Sequence, residues 1–209
     1  MLTIMTRRFK ARLAKLKQFG KDHSGIAAVE FGLIVPVLLI MMLGAIELSR
    51  AVVMARRFNT ATAMASDLVA REQTITDPDL QGVAAAVATA WSPYDQTSLQ
   101  MQVLQVRKAS DQATLKSPGA IYVDWQYPLF SGAVPNGKAR NDPYVLSDPN
   151  MISKGSSTLI VNATYTFTSL FGASVPGMTP TMAWASSSSH TPRQLCVDYG
   201  GFNCIPQLE

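Results

Sequence analysis

The chain has 209 residues, of which 47% are hydrophobic, and a formal net charge of +4. This length suggests one domain plus an anchor. Residues 1–25 carry seven basic residues and one acidic residue, whereas the rest of the chain carries 11 basic and 13 acidic residues. The positive charge therefore belongs to a short leader and gives no support to nucleic-acid binding.

The basic leader, residues 1–25, is followed by an apolar stretch of 21 residues from Ile26 to Ile46. As a helix this stretch would be about 31 Å long, which matches the hydrocarbon core of a bilayer. A transmembrane helix is therefore predicted for residues 26–46, with the basic leader in the cytoplasm and the rest of the chain outside. A secretory signal is the alternative, but its apolar region usually has about 7–15 residues and ends at a cleavage site of small residues.

Glu30 is the one charged residue in this stretch. A charged group at the bilayer centre costs about 2.5–3.5 kcal/mol on insertion scales, so it calls for a reason. Lying one turn into the span, Glu30 could simply reach the interface. However, Gly25 directly precedes Ile26, and Glu30 is the fifth residue after Gly25.

This arrangement resembles the processing site of type IV pilin-like precursors. The resemblance implies that a prepilin peptidase cuts between Gly25 and Ile26. It also implies that Glu30, with its neighbour Phe31, aligns the subunit in assembly.

The wider stretch adds Pro36 and the exit sequence Glu47-Leu48-Ser49-Arg50. Together these features, over residues 24–66, resemble the TadE-like family, minor pseudopilins of the tight-adherence (Tad, or Flp) pilus machinery. The resemblance implies a membrane-anchored structural or assembly subunit of a Tad pilus or related secretion apparatus, in the bacterial inner membrane with a periplasmic C-terminal domain. The implied partners are prepilin peptidase, other pilin-like subunits that pack on the N-terminal helix, the Tad inner-membrane platform proteins and the lipid bilayer.

An apolar stripe at helical spacing continues beyond the span and includes Met54, Phe58, Ala61 and Leu68. It predicts an amphipathic continuation of the helix over residues 47–76; a separate second helix is the alternative. Asp77 as N-cap and Pro78 then predict the start of another helix that ends before Pro93.

Four stretches with alternating apolar residues, beginning near Leu99, Ile121, Leu159 and Thr181, predict strands of an antiparallel sheet. After Val103 the apolar residues change phase, which indicates a bulge. The predicted fold class is α+β: a long N-terminal transmembrane helix continues into an amphipathic helix, which packs on a small, mainly antiparallel sheet. Residues 77–209 form the outer domain. Within it, the irregular loop 130–157 is either a contact surface for assembly partners or an insertion.

The two cysteines, Cys196 and Cys204, are predicted to form a disulfide if the outer domain lies outside the cytoplasm. A metal site with His190 is the alternative, but it lacks a proper ligand set. Asp142 and Asp148 could bind calcium, although their spacing fits no known calcium loop.

The sequence has two histidines and none of the common catalytic or nucleotide-binding motifs. We therefore predict no catalytic residue, no cofactor and no metal, and a protein that is not an enzyme. Two alternatives to the pseudopilin remain. One is an uncleaved bitopic envelope protein with a periplasmic partner-binding domain, and the other is a secreted enzyme with a signal sequence.

Overall fold

The computed structural model describes residues 24–113, 116–130, 138–172 and 180–201. It contains two helices and a four-stranded antiparallel sheet, so the predicted α+β class is confirmed. The elements are α1 (Ser24–Arg71), β1 (Thr74–Ile75), α2 (Asp77–Trp91), β2 (Leu99–Lys108), β3 (Ile121–Phe130), β4 (Ser157–Thr168), β5 (Thr181–His190) and β6 (Asp198–Tyr199), with one turn of 3-10 helix at Pro149–Met151.

Helix α1 is continuous over 48 residues and includes Pro36. The chain divides into two compact units, the first ending at Leu48 and the second beginning at Ser49. In the second unit most of the predicted apolar stripe of α1 is buried, with Phe58 and Ala61 each 2% exposed. Leu68, also predicted in the stripe, is only partly buried, and its neighbour Val69 is fully buried instead. The hydrophobic effect therefore fixes this part of α1 on the domain core.

Helix α2 begins one residue earlier than the sequence pattern predicts, because Thr76 and not Asp77 is its N-cap. The Asp79 carboxylate accepts hydrogen bonds from the Thr76 backbone N–H at 2.9 Å and from the Thr76 hydroxyl at 2.5 Å. These bonds give the backbone N–H and the hydroxyl of the N-cap residue an acceptor, as in a capping box. The Asp77 carboxylate is left to accept a hydrogen bond from the Tyr199 hydroxyl.

The four-stranded sheet has the order β3-β2-β4-β5, and the short strands β1 and β6 form a separate parallel pair. One main cluster of buried side chains joins α1 and α2 to the sheet. At its centre the fully buried Trp91 makes edge contacts with Phe58 and Tyr165, with ring centroids 6.0 and 4.9 Å apart. Aromatic pairs of this geometry add to the free energy of area burial.

A second, smaller cluster lies under residues from the long loop and contains Leu104, Val106 and Ile152. The apolar residues of β2 change phase after Val103 because Leu104 is buried in this second cluster. A bulge at Leu104 is not the cause. The register between β2 and β3 instead shifts between Met101 and Gln102 and again between Gln105 and Val106.

A buried polar network connects the sheet to the C-terminal segment. The Asp124 carboxylate accepts hydrogen bonds from Gln105 at 2.8 Å and from Arg107 at 3.0 Å. The side-chain amide oxygen of Gln105 in turn accepts from the Val197 N–H at 2.8 Å, and the Trp125 indole donates to the Val197 carbonyl at 2.9 Å. These bonds fix the segment around Val197, whose side chain is fully buried.

Candidate functional site

The predicted processing and assembly residues all lie in the first two turns of α1. With 3.6 residues per turn, Ile26 and Glu30 lie one turn apart on the same face of the helix, and Phe31 follows about 100° further round. The helix therefore brings the proposed cleavage point and the acidic residue together, with the Phe31 ring beside them.

The side chains of this segment are exposed. Ile26 is 59% exposed and Phe31 is 67% exposed. The most apolar 18-residue stretch of α1 contains no buried residue, and α1 is long and apolar enough to cross a membrane. An exposed apolar surface of this length indicates that the helix contacts lipid or other helices.

Among the described residues, packing does not require glycine at position 25. A Cβ atom placed on Gly25 would meet no atom within 4 Å, and the same holds for Gly32 and Gly44 in the same helix. Gly25 therefore lies in open space at the start of the described part of α1.

Glu30 is exposed, and no described residue forms a hydrogen bond or ion pair with its carboxylate. Glu30 lies beyond the first turn of α1, which contains no acidic residue, so the favourable interaction of acidic groups with a helix N-terminus does not explain it.

The other predicted positions are distributed over the outer domain. Cys196 is 2% exposed, and Cys204 lies outside the described residues, so their disulfide stays a prediction. His190 Nδ1 lies 2.7 Å from the Ser66 hydroxyl oxygen. The Asp142 and Asp148 carboxylates accept hydrogen bonds from nearby backbone N–H groups within turns. Within the described ranges, no three His, Cys, Asp or Glu residues cluster as a metal site would require.

The described part of the long loop, residues 138–156, covers the second face of the sheet. Tyr144 and Leu146 pack against the smaller cluster there, and Tyr122 pairs with Pro143. Residues 131–137 of the loop lie outside the described residues. The role of the loop as a contact surface stays a prediction.

A family model described as TadE-like protein matches residues 25–67. The chain carries a TadE-like segment. The resemblance recognised from Gly25, Glu30 and Pro36 is thereby confirmed for this segment. The TadE-like segment begins at the proposed cleavage point and ends within the part of α1 that packs on the domain. The chain has no significant match among curated proteins or among solved structures.

Sequence reasoning missed the polar network around Asp124 and the order of the strands in the sheet. Both depend on residues that are far apart in sequence, such as Gln105 and Val197. A buried ion pair between two strands, such as Arg107–Asp124, has no local sequence signature.

Proposed function

We propose that the protein is a minor pseudopilin, a non-enzymatic subunit that serves the assembly of a Tad pilus or a related secretion apparatus. One observation carries the proposal. Inside the TadE-like segment, the Gly25–Ile26 junction lies in the first turn of an exposed apolar helix, with Glu30 one turn further on. This combination supports a processed, membrane-anchored subunit better than it supports a simple anchor.

The proposed topology follows from charge. Seven basic residues precede the apolar stretch, and the positive-inside rule keeps such a segment in the cytoplasm. The domain that begins after the span then lies in the periplasm, and the protein crosses the bacterial inner membrane once.

Processing gives Gly25 a purpose. A prepilin peptidase must bring its catalytic groups close to the backbone between Gly25 and Ile26, and a residue without a side chain permits that approach. Within the part of the chain that the structure describes, packing supplies no competing reason for glycine at this position. Cleavage removes the basic leader and leaves a new amino group on Ile26.

The new amino group explains the acidic residue. In a bundle of pilin-like helices, the Ile26 amine of one subunit pairs with the Glu30 carboxylate of its neighbour. Such a pair offsets the penalty of holding each charge in lipid. The exposed Phe31 ring contributes apolar contact beside it. The Tad platform proteins and other pilin-like subunits are the partners on this surface.

The test is the intact mass of the protein purified from its native membrane. The wild-type chain should begin at Ile26. Gly25→Ala should leave the full leader attached, whereas Gly32→Ala should be processed like the wild type. Gly32 is the matched control because it lies in the same exposed helix and has equal space around it.

A wild-type chain that still carries residues 1–25 would overturn the proposal. It would favour the uncleaved bitopic envelope protein instead. Normal processing of Gly25→Ala would also contradict the assigned cleavage site.

A further inference from the structure

A small cavity lies on the second face of the sheet, between the strands and residues of the long loop. It has a volume of about 30 Å³, and its lining includes the side chains of Gln102, Gln126 and Asn162. We call these three residues the carboxamide cluster. A cavity of about 10–15 Å³ already holds one water molecule, so this cavity has room for a group of that size, such as a hydroxyl.

Strand pairing assembles the carboxamide cluster from three strands. Asn162 on β4 lies directly opposite Gln102 on β2. Gln126 on β3 lies opposite Leu104, which is two residues further along β2 and on the same face as Gln102. Side chains at opposed and diagonal positions of neighbouring strands are close enough to contact one ligand together.

Gln102 is the residue that points to a ligand. It is 2% exposed, and its side-chain oxygen Oε1 is buried without a hydrogen-bond partner among the described residues. A buried acceptor without a donor costs free energy, and folded proteins retain few of them. A bound group that donates a hydrogen bond to Oε1 would remove this cost.

The loop wall of the cavity is fixed by backbone hydrogen bonds. The segment 141–144 pairs with the outer edge of β3 and closes that edge. Asn141 N–H donates to the Val123 carbonyl at 2.8 Å, and Tyr144 N–H donates to the Ile121 carbonyl at 2.9 Å. Because these bonds hold Tyr144 beside the sheet, the cavity is preformed, as most ligand sites are.

The charge of the lining limits the kind of ligand. Lys138 is the one charged residue among the described residues that line the cavity. Its ammonium group donates to the Pro143 carbonyl at 2.7 Å and lies 5.9 Å from the centre of the Tyr144 ring. A cationic ligand would be repelled by this ammonium group, and a carboxylate has no hydrogen to donate to Gln102 Oε1. A neutral group that both donates and accepts, such as a hydroxyl, satisfies the site.

The sheet face beside the cavity is also polar and uncharged. Along β4, Thr164 and Thr166 follow Asn162 on the same face. On β5, Ser187 lies opposite Asn162, and Ala185 lies opposite Thr164. These side chains are exposed or half-buried. A surface of hydroxyl and amide groups with small side chains between them suits the many hydroxyl groups of a sugar.

We propose that the carboxamide cluster binds a neutral saccharide. One sugar hydroxyl enters the cavity, donates to Gln102 Oε1 and accepts from a carboxamide N–H of Gln126 or Asn162. The other sugar groups lie on the polar sheet face. A free oligosaccharide and a glycan strand of the cell wall both offer this chemistry. The proposal concerns the outer domain alone, so it and cleavage at Gly25 can fail independently.

The test is a calorimetric titration of the full-length protein with chitotetraose, a neutral oligosaccharide. Lauryldimethylamine oxide is the detergent, because it has no sugar headgroup that would compete. The de-N-acetylated form, tetraglucosamine, is titrated under mildly acidic conditions in which its amines are charged. We expect saturable binding of chitotetraose, at least about tenfold tighter than binding of tetraglucosamine. Co-sedimentation with purified cell-wall sacculi separates the two sources, since binding to sacculi alone assigns the wall glycan.

Gln102→Met isolates the unpaired acceptor and retains the length of the side chain. Because Oε1 has no partner among the described residues, the variant should be as stable as the wild type, whereas the Kd for chitotetraose should rise at least about tenfold. Gln81→Met is the matched control, since Gln81 is exposed on α2, which packs on the other face of the sheet. Asn162→Ala removes a second, half-buried carboxamide and should also weaken binding. Thermal unfolding of each variant checks the fold.

Three results would each overturn the proposal. They are no saturable binding of either chitotetraose or sacculi, equal binding of chitotetraose by a folded Gln102→Met or Asn162→Ala protein, and tighter binding of tetraglucosamine than of chitotetraose. Any of them would leave a buried water molecule as the partner of Gln102.

Discussion

The Tyr199 hydroxyl donates a hydrogen bond of 2.6 Å to the Asp77 carboxylate, which connects β6 to the first turn of α2. Burial, together with this hydrogen bond, raises the pKa of Tyr199 to about 12. The contact joins residues 122 positions apart and helps to hold the C-terminal segment on the domain.

The pH dependence of this contact has a definite sign. The folded-state pKa lies above the usual tyrosine value of about 10, so the neutral phenol stabilises the fold fully below pH 10. This stabilisation is lost as the pH rises from about 10 to about 12. In detergent micelles, the wild type should be more stable than Tyr199→Phe at pH 8, and its advantage should shrink over that interval. Urea unfolding followed by tryptophan fluorescence measures this. A stability difference between the wild type and Tyr199→Phe that does not vary with pH would contradict the raised pKa of Tyr199.

The cap of α2 gives a prediction at acid pH. Hydrogen bonds from Thr76 hold the pKa of Asp79 below its usual value of 3.8. The carboxylate therefore stabilises the fold above pH 3.8, and this contribution is lost as the pH falls through the lower folded-state pKa. Asp79→Ala should lower the unfolding temperature at pH 7 and have little effect near pH 2. Thr76→Ala combined with Asp79→Ala should cost less than the sum of the single changes, because both remove the same cap.

The Arg107–Asp124 ion pair is buried, with side chains 7% and 11% exposed. Removing one partner leaves a buried charge, so Asp124→Ala should lower the free energy of unfolding by about 3–5 kcal/mol. The matched control is the exposed pair Lys154–Asp111, where Asp111→Ala should cost less than about 1 kcal/mol. Denaturant unfolding of the two variants compares them directly. Equal losses of unfolding free energy in the two variants would mean that the buried ion pair contributes no more to stability than the exposed pair.

Glu30 should matter for assembly and not for insertion. Glu30→Leu removes the penalty of about 2.5–3.5 kcal/mol for a charge in the span, so membrane insertion should be retained. Loss of a charge-assisted contact worth about 1.5–3 kcal/mol should lower recovery with pilin-like partners by about tenfold or more. Quantitative co-purification from detergent extracts measures this, with Gly32→Ala as the control. Full recovery would argue against an amine–carboxylate pair.

The disulfide prediction is independent of the membrane segment. Cys196 and Cys204 are the two cysteines of the chain, so a disulfide between them should add two hydrogens to the intact mass on reduction. Cys196→Ser should destabilise the domain by about 2.5 kcal/mol, as expected for a short loop. A mass that reduction does not change would show two free thiols.

Local periodicity was sufficient for the two helices and the four strands of the main sheet, but not for the short pair of β1 and β6. The predicted amphipathic helix over residues 47–76 ends at Arg71, because Thr74–Ile75 forms β1. The stripe through Phe58 and Ala61 predicted the packed part of α1, and the alternation around Leu159 and Val161 predicted a strand, because each pattern follows from the geometry of one element. The candidate processing residues could also be named from the sequence, since Gly25 and Glu30 are only five positions apart; their role stays a prediction.

Contacts between residues that are far apart in the sequence could not be predicted from the sequence. The choice of Thr76 as N-cap depends on Asp79 and on the bond between Asp77 and Tyr199. The burial of Leu104 depends on Ile152 in the loop. Strand order, and with it the carboxamide cluster, is set by pairings that no single segment encodes.

The closed β3 edge determines how far the sheet can grow. A sheet polymerises only if each unit offers two free edges, one to receive a strand and one to extend to the next unit. In this domain the segment 141–144 and Pro128 block one of them. The domain therefore offers one free edge and not two, so it can occupy only the end of a series of paired sheets and cannot be an internal unit of a fibril.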